Sequence, residues 1–289
     1  MKKSNKEKVN FRTIKRIVTG RSTLDGAGVS LTRVFGNNDV YDFDPFLMLD
    51  AFDSKDPKEY INGFPWHPHR GIETITYLAE GDIEHGDSLG NKGSILNGDC
   101  QWMTAGSGII HQEMPKSSKR LFGAQIWLNL PAKHKMAKPQ YGGIKKKDIP
   151  VVRDDQATIR VIAGNYAGTK GAFAGKYVQA TYLDVELLPE SEWNIAISGE
   201  MNAFIYIMNG AAVFDQSQRE IFKKHAILFE KGDAICVVTK KQGARFLLLY
   251  AKSLNEPIAW GGPIVMNTGK ELDLAFEELE NGRFIQDEK

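Results

Sequence analysis

Apolar and polar residues alternate with a period of two through most of the chain, the pattern of many short strands rather than of helices. Phe122, Ala124, Ile126, Leu128 and Leu130 interleave with Gly123, Gln125, Trp127 and Asn129, and Leu183, Val185 and Leu187 with Asp184 and Glu186. Both stretches read as half-buried strands. Unbroken apolar runs at 203–208 and 246–250, bounded by glycine and charge, read as strands buried on both faces of a sandwich or barrel. The pattern predicts one clear helix, near the C-terminal end. Thr268 caps it, Glu271 completes a capping box, Leu272, Ala275, Phe276 and Leu279 form one apolar stripe, and Gly282 ends it. Between 131 and 150 the pattern gives way to three prolines, a Gly142-Gly143 pair and the run Lys145-Lys146-Lys147. That composition marks an exposed connection and divides the chain into domains 1–135 and 136–289.

A weak internal repeat accompanies the division. Tyr77-Leu78-Ala79-Glu80-Gly81 is echoed by Tyr206-Ile207-Met208-Asn209-Gly210, and Gly98-Asp99 by Gly232-Asp233. Two copies of one small all-β domain follow. On this pairing Ala196 and Ser198 answer to His67 and His69, and Arg245 and Leu247 to His111 and Glu113, so chemistry that depends on those four residues belongs to the first copy alone.

Composition narrows the function classes. With 289 residues, 42% hydrophobic and 25% charged, the chain has the make-up of a folded protein. Its 37 Lys+Arg against 36 Asp+Glu leave a formal charge of +1, no field with which to hold a polyanion, so direct nucleic-acid binding is not expected. Two cysteines, Cys100 and Cys236, build neither a disulfide framework nor a Cys-rich zinc module. No apolar run approaches the roughly 18 residues of a membrane-spanning helix. The first twenty residues hold seven Lys/Arg and one Glu without a secretory apolar stretch, and read as a solvated terminus. A cytoplasmic protein is the expectation.

The candidate chemistry lies in two segments, Phe64-Pro65-Trp66-His67-Pro68-His69 and Gly108-Ile109-Ile110-His111-Gln112-Glu113. On a strand, residues two apart share a face, so each segment aims a pair of donors at one point. Pro68 confines the first segment to a sheet edge or a strand start. Imidazole nitrogens with a carboxylate oxygen suit one mononuclear divalent transition metal: Fe, Mn, Ni, Cu or Zn. Four protein ligands would close a tetrahedral zinc site, whereas an octahedral metal would keep positions for substrate and dioxygen; both geometries fit the residues. Phe64, Trp66 and Met103, with Trp102 nearby, are the expected walls of a dry pocket. Glu73, on the face of His69 by strand parity, is expected to accept the second N–H of a metal-bound histidine. His85 lies in a turn-rich stretch and reads as loop-stabilising, while His134 and His225 read as surface residues. No nucleophile elbow and no P-loop lysine occur, and Gly106-Ser107-Gly108 reads as a turn.

The residues also resemble a known family. Asp44-Pro45-Phe46-Leu47-Met48-Leu49-Asp50, the run from Phe64 through His67-Pro68-His69 to Thr74, Gly98-Asp99-Cys100-Gln101-Trp102-Met103-Thr104-Ala105-Gly106 and His111-Gln112-Glu113-Met114 are similar to the signature of the pirins. Gly262-Pro263-Ile264-Val265-Met266-Asn267-Thr268 resembles that family's C-terminal signature. The resemblance implies a bicupin fold: two face-to-face cupin β-barrels, each a double-stranded β-helix, with metal in the N-terminal one only. It implies His67, His69, His111 and Glu113 as metal ligands, with iron(II) the first expectation. Gly106 and Pro115 depart from the wider cupin pattern in a pirin-like way and favour Glu113 over Glu73 as the acidic ligand. Family members act as quercetin 2,3-dioxygenases, which open a flavonol with dioxygen, or as iron-dependent regulators working through protein partners. The first role is the expected one here: a small aromatic substrate and dioxygen, with Glu113 as base or as ligand. A redox-sensing regulator with a protein partner is the alternative.

Overall fold

Strands dominate the computed structural model, which describes residues 9–215 and 217–286; the basic stretch at 1–8 lies outside the described residues. The metal-candidate half is built from β2 (Arg21–Asp25), β3 (Val29–Phe35), β4 (Phe46–Ser54), β5 (Phe64–His69), β6 (Ile72–Glu80), β7 (Ile83–Asp87), β8 (Lys92–Ile95), β9 (Cys100–Thr104), β10 (Ile109–Pro115), β11 (Leu121–Asn129) and β12 (Gln140–Ile144). A seven-stranded antiparallel sheet in the order β12-β9-β6-β11-β4-β3-β2 forms one wall of the barrel, and a four-stranded sheet, β5-β10-β7-β8, the other. The second barrel pairs a large sheet, running from His225–Phe229 through Met201–Ala212, Ala244–Lys252 and Thr181–Leu187 to Val151–Arg153, with the short ladder of Glu192–Ala196 and Ala234–Val238.

The two large sheets face each other. Phe35, Phe46, Ile75, Tyr77 and Ile126 from the first meet Tyr182, Phe204, Tyr206, Leu228 and Leu247 from the second in one continuous core. This explains a difference from the sequence pattern. The alternating strands around Ile126 and Val185 read as half-buried, yet β11 and Thr181–Leu187 are buried on nearly every position, because each sheet covers its outer face with the other sheet. Some polar groups trapped there are paired: Tyr77 donates to the wholly buried Asp184 at 2.7 Å, which also accepts two bonds from Arg245, at 3.0 and 2.7 Å.

Chain segments cross between the barrels. The first strand, β1 (Ile14–Thr19), pairs with His225–Phe229 of the second barrel. In the stretch read as an exposed connection, β12 pairs with β9 of the first. The C-terminal helix, Gly269–Glu280, carries the expected capping box, with Thr268 Oγ1 accepting from the Glu271 amide and Glu271 Oε2 from the Thr268 amide. Its stripe of Leu272, Phe276 and Leu279 packs with Ile264, Phe284 and Ile110, so it sits on the first barrel. No helix among the described residues is long and apolar enough to cross a membrane.

The interiors differ. In the second barrel the space is filled by Trp193, Ile195, Ile235, Val237, Phe214 and Phe246. The first has apolar ends, Leu31, Phe52 and Leu78 at one and Leu47, Met48, Met103 and Trp127 at the other. Between them runs a polar row: Arg33, Asp50, Gln125, Thr76 and Gln101 stand side by side across β3, β4, β11, β6 and β9.

Candidate metal centre

The edge strand β5 and its neighbour β10 carry the predicted donors. Pro68 removes a backbone donor where β5 has no outer partner to receive it, as an edge allows. In the antiparallel register His111 stands opposite His67, and Ile109 opposite His69. The three imidazoles converge, with ring centroids 4.3 to 5.1 Å apart and one ligand nitrogen of each within 4.8 Å of the others.

Their hydrogen bonding shows what the cluster can hold. His67 Nδ1 lies 2.9 Å from the Pro65 carbonyl and His69 Nδ1 3.0 Å from the Pro263 carbonyl. A carbonyl only accepts, so each Nδ1 carries the hydrogen and each Nε2 presents a lone pair. Those two Nε2 atoms face each other at 3.1 Å, and the buried His111 Nε2 has no hydrogen-bond partner. Two inward lone pairs and a third, unpartnered imidazole nitrogen form a donor set for a cation, and neutral imidazoles suit a divalent transition metal. Carbonyl partners on Nδ1 hold the His67 and His69 rings in ligating orientation.

Burial enforces the ligating form. Desolvation, with His67 nearby, pulls His69 down to about 3, and desolvation with the neighbouring imidazoles holds His111 well below the usual histidine range. An unfolded histidine takes a proton near 6.5, so between that pH and about 3 the unfolded chain binds more protons than the folded one. Stability is therefore full above about pH 6.5 and falls on acidification, by about 1.4 kcal/mol per pH unit for each such group. Urea titrations of metal-free protein from pH 7.5 to 4.5 should show this loss, and a His69→Phe, His111→Phe double variant should flatten it.

Glu113, the fourth predicted ligand, lies outside the histidine cluster. A register shift separates it from His111, and its buried carboxylate accepts from Gln125 Nε2 at 3.0 and 2.8 Å and from Thr76 Oγ1 at 3.1 Å. It is tied to the polar row, beside the cluster. A cavity of 590 Å³ opens over both, lined by His67, His69, Glu113, Gln125, Phe64 and Trp127 among others. Its far side carries Arg33, bonded to both oxygens of Asp50 at 3.0 and 2.7 Å and to Asp25 at 2.7 Å. Burial raises the Asp50 carboxyl, and the Arg33 bonds oppose that rise.

Other expectations fall elsewhere. Phe64 lines the cavity, but Trp66 does not: alternation sends it to the outer face of β5, where it is 53% exposed. Met103 points inward yet is fully buried among Leu47, Met48 and Trp127, sealed from the cavity. Glu73 reaches no histidine. Its carboxylate accepts from Trp102 Nε1 at 3.0 Å and Thr104 Oγ1 at 2.7 Å, because the strand breaks at Gly71, whose φ of +77° ends the parity counted from His69. His85 is in no loop. It lies on β7 opposite Glu113, stacked on Tyr141, whose hydroxyl is 2.6 Å from its Nε2. Arg245 and Leu247 are on the counterpart of β11; by ladder position, the counterpart of β10 is Ala234–Val238 and that of β5 is Glu192–Ala196. Their buried residues, Trp193, Ile195, Ile235 and Val237, are apolar, so among the described residues the second barrel holds no such donor cluster.

Known proteins place this geometry. The Pirin family model matches residues 28–128 and the model of the pirin C-terminal cupin domain residues 182–285. A pirin-like protein of Caulobacter vibrioides is 41% identical over 94% of this chain and 99% of its own. The crystal structure of a quercetin 2,3-dioxygenase from Acinetobacter baumannii superposes with a TM-score of 0.86 at 30% identity, covering 95% of this chain and 98% of that one. A bacterial pirin of Escherichia coli solved in complex with nickel(II) shares the fold, with a TM-score of 0.62 at 21% identity over 82% of this chain and 98% of its own. Two facing barrels, one with a histidine cluster and one packed solid, are thus accounted for by descent: the chain belongs to the pirin family of cupin proteins.

Proposed function

We propose that this pirin is a metal-dependent dioxygenase of the quercetin 2,3-dioxygenase type, cleaving a flavonol or similar aromatic with dioxygen. One observation carries the reading: a cluster of three imidazoles, two of which line a cavity with ring nitrogens free to ligate, stands beside a cavity-lining carboxylate held by Gln125 and Thr76. The names of relatives point the same way, since the Acinetobacter baumannii neighbour is a quercetin 2,3-dioxygenase.

His67, His69 and His111 would hold the metal, iron(II) or the nickel(II) of the Escherichia coli relative being the first to try. Bound there, a metal would supply a Lewis-acidic centre that acidifies the flavonol 3-hydroxyl. Glu113 takes the hydroxyl proton. Gln125 and Thr76 fix its carboxylate in the cavity with three donated hydrogen bonds, so no reorientation precedes proton transfer. Phe64, Trp127 and Met48 line the walls and exclude water, which strengthens every charge interaction inside. The electron-rich anion so formed is the species that dioxygen attacks, opening the heterocycle with loss of carbon monoxide.

The test is an oxygen electrode. Protein loaded in turn with iron(II), nickel(II), manganese(II) or copper(II) and given quercetin should consume dioxygen and release carbon monoxide in equal amounts, with at least one metal. Stoichiometric metal with no oxygen uptake would overturn the enzyme and leave the regulatory reading.

A further inference from the structure

The pocket has a wall that the metal barrel does not make. After the second barrel ends, the chain returns as a hairpin, Ala259–Gly261 paired with Ile264–Met266 about a turn at Gly262. Two bonds pin this hairpin to the metal barrel: the Val265 amide donates to the Arg70 carbonyl at 3.1 Å, and the buried Lys135 ammonium donates to the Val265 carbonyl at 2.8 Å. Gly71 passes so close to the Val265 carbonyl that no side chain would fit there. The same turn supplies the Pro263 carbonyl that orients His69.

Trp260, opposite Val265 in this hairpin, is thereby held at the cavity as a partly exposed ring. Its indole N–H is spent within the hairpin, on the Gly262 carbonyl at 2.8 Å. What Trp260 offers a ligand is therefore its π surface and no hydrogen bond. The ring lies 5.6 Å from Trp127, the planes 34° apart, and Trp127 in turn meets His69 edge-on at 4.9 Å. A chain of ring contacts thus runs from His69 through the largely buried Trp127 to Trp260 at the cavity wall.

We propose that Trp260 is the specificity-determining residue of this pocket: together with Trp127 it selects a flat aromatic ligand, which lies against the pair beside His69. This deepens the dioxygenase reading by naming what the substrate must be, a planar conjugated ring system rather than a puckered one. The chain's second half thus takes part in recognition although its own barrel is filled.

Binding separates this inference from turnover. Metal-loaded protein is titrated without oxygen, by calorimetry, with quercetin and with its 2,3-dihydro analogue, whose central ring is puckered. Wild type should prefer the planar ligand. Trp260→Ala should weaken quercetin about tenfold, the scale expected for removing one aromatic ring together with the area it covers, and bring the two ligands close to equal affinity. Trp260→Phe should keep most of the preference, and metal content should stay at the wild-type level in both. Quercetin affinity within twofold of wild type in Trp260→Ala, or no flavonol binding by wild type, would overturn the proposal. Wild type that binds quercetin tightly but consumes no oxygen would sink the dioxygenase reading alone, leaving the role of Trp260 intact.

Discussion

Protein with His111→Ala is expected to come out of purification and metal loading with less than a tenth of the metal held by wild type, measured by elemental analysis. The imidazole removed is the one whose Nε2 is buried without a hydrogen-bond partner, so no other group in the fold depends on that nitrogen. Loss of a group that merely orients a ligand costs about 10- to 100-fold in metal affinity, and loss of a ligand from a set of three should exceed that. Thermal unfolding offers a second measure. Metal that binds only the folded chain raises stability with its concentration. Wild type should rise in melting temperature as iron(II) or nickel(II) is added, and the variant should not. A variant that binds metal as wild type does would mean the histidine cluster is a packing feature.

Glu113→Gln is expected to lower kcat by about 10²- to 10⁴-fold, the contribution of a positioned general base, while leaving one metal per chain. The substitution keeps shape and burial but removes the oxygen that accepts a proton. Gln125 and Thr76 would still donate to the remaining carbonyl oxygen, so the barrel has no reason to unfold. Activity should not return at higher pH, as it would if the base had only been shifted. Full turnover would remove Glu113 from the chemistry. Loss of metal together with turnover would instead make it a ligand, the role that the family resemblance implies.

The part of this site written in local sequence could be read there. His67 and His69 share a face because a strand alternates, and Pro68 marks the edge at which β5 lies. Parity failed where the chain turned. Counting from His69 to Glu73 runs through Gly71, whose left-handed backbone ends one strand before the next begins, and Glu73 emerges on the opposite face, beside Trp102. Trp66 alternates away from His67, but Phe64, of the same parity, still lines the cavity because the β5–β10 ladder shifts register between His67 and Phe64. Residues fixed by tertiary pairing left no local signal. Gln125 and Thr76 became partners of Glu113 through register across β11 and β6. Pro263, which orients His69, lies 194 positions away along the chain. The burial of both faces of β11 and Thr181–Leu187 was hidden for a like reason: a sequence shows a strand's periodicity but not what its outer face will meet.

The exchanged segments described for the fold make these two barrels hard to part. A cut near residue 135 would strip the first of β12, the Pro263 carbonyl and Trp260, and the second of β1, so neither fragment keeps a closed edge or a complete wall. The histidine cluster between positions 67 and 111 is consequently tied to the C-terminal hairpin through the Pro263 carbonyl. Loosening at that hairpin would therefore be felt at His69, from a segment that begins beyond the second barrel.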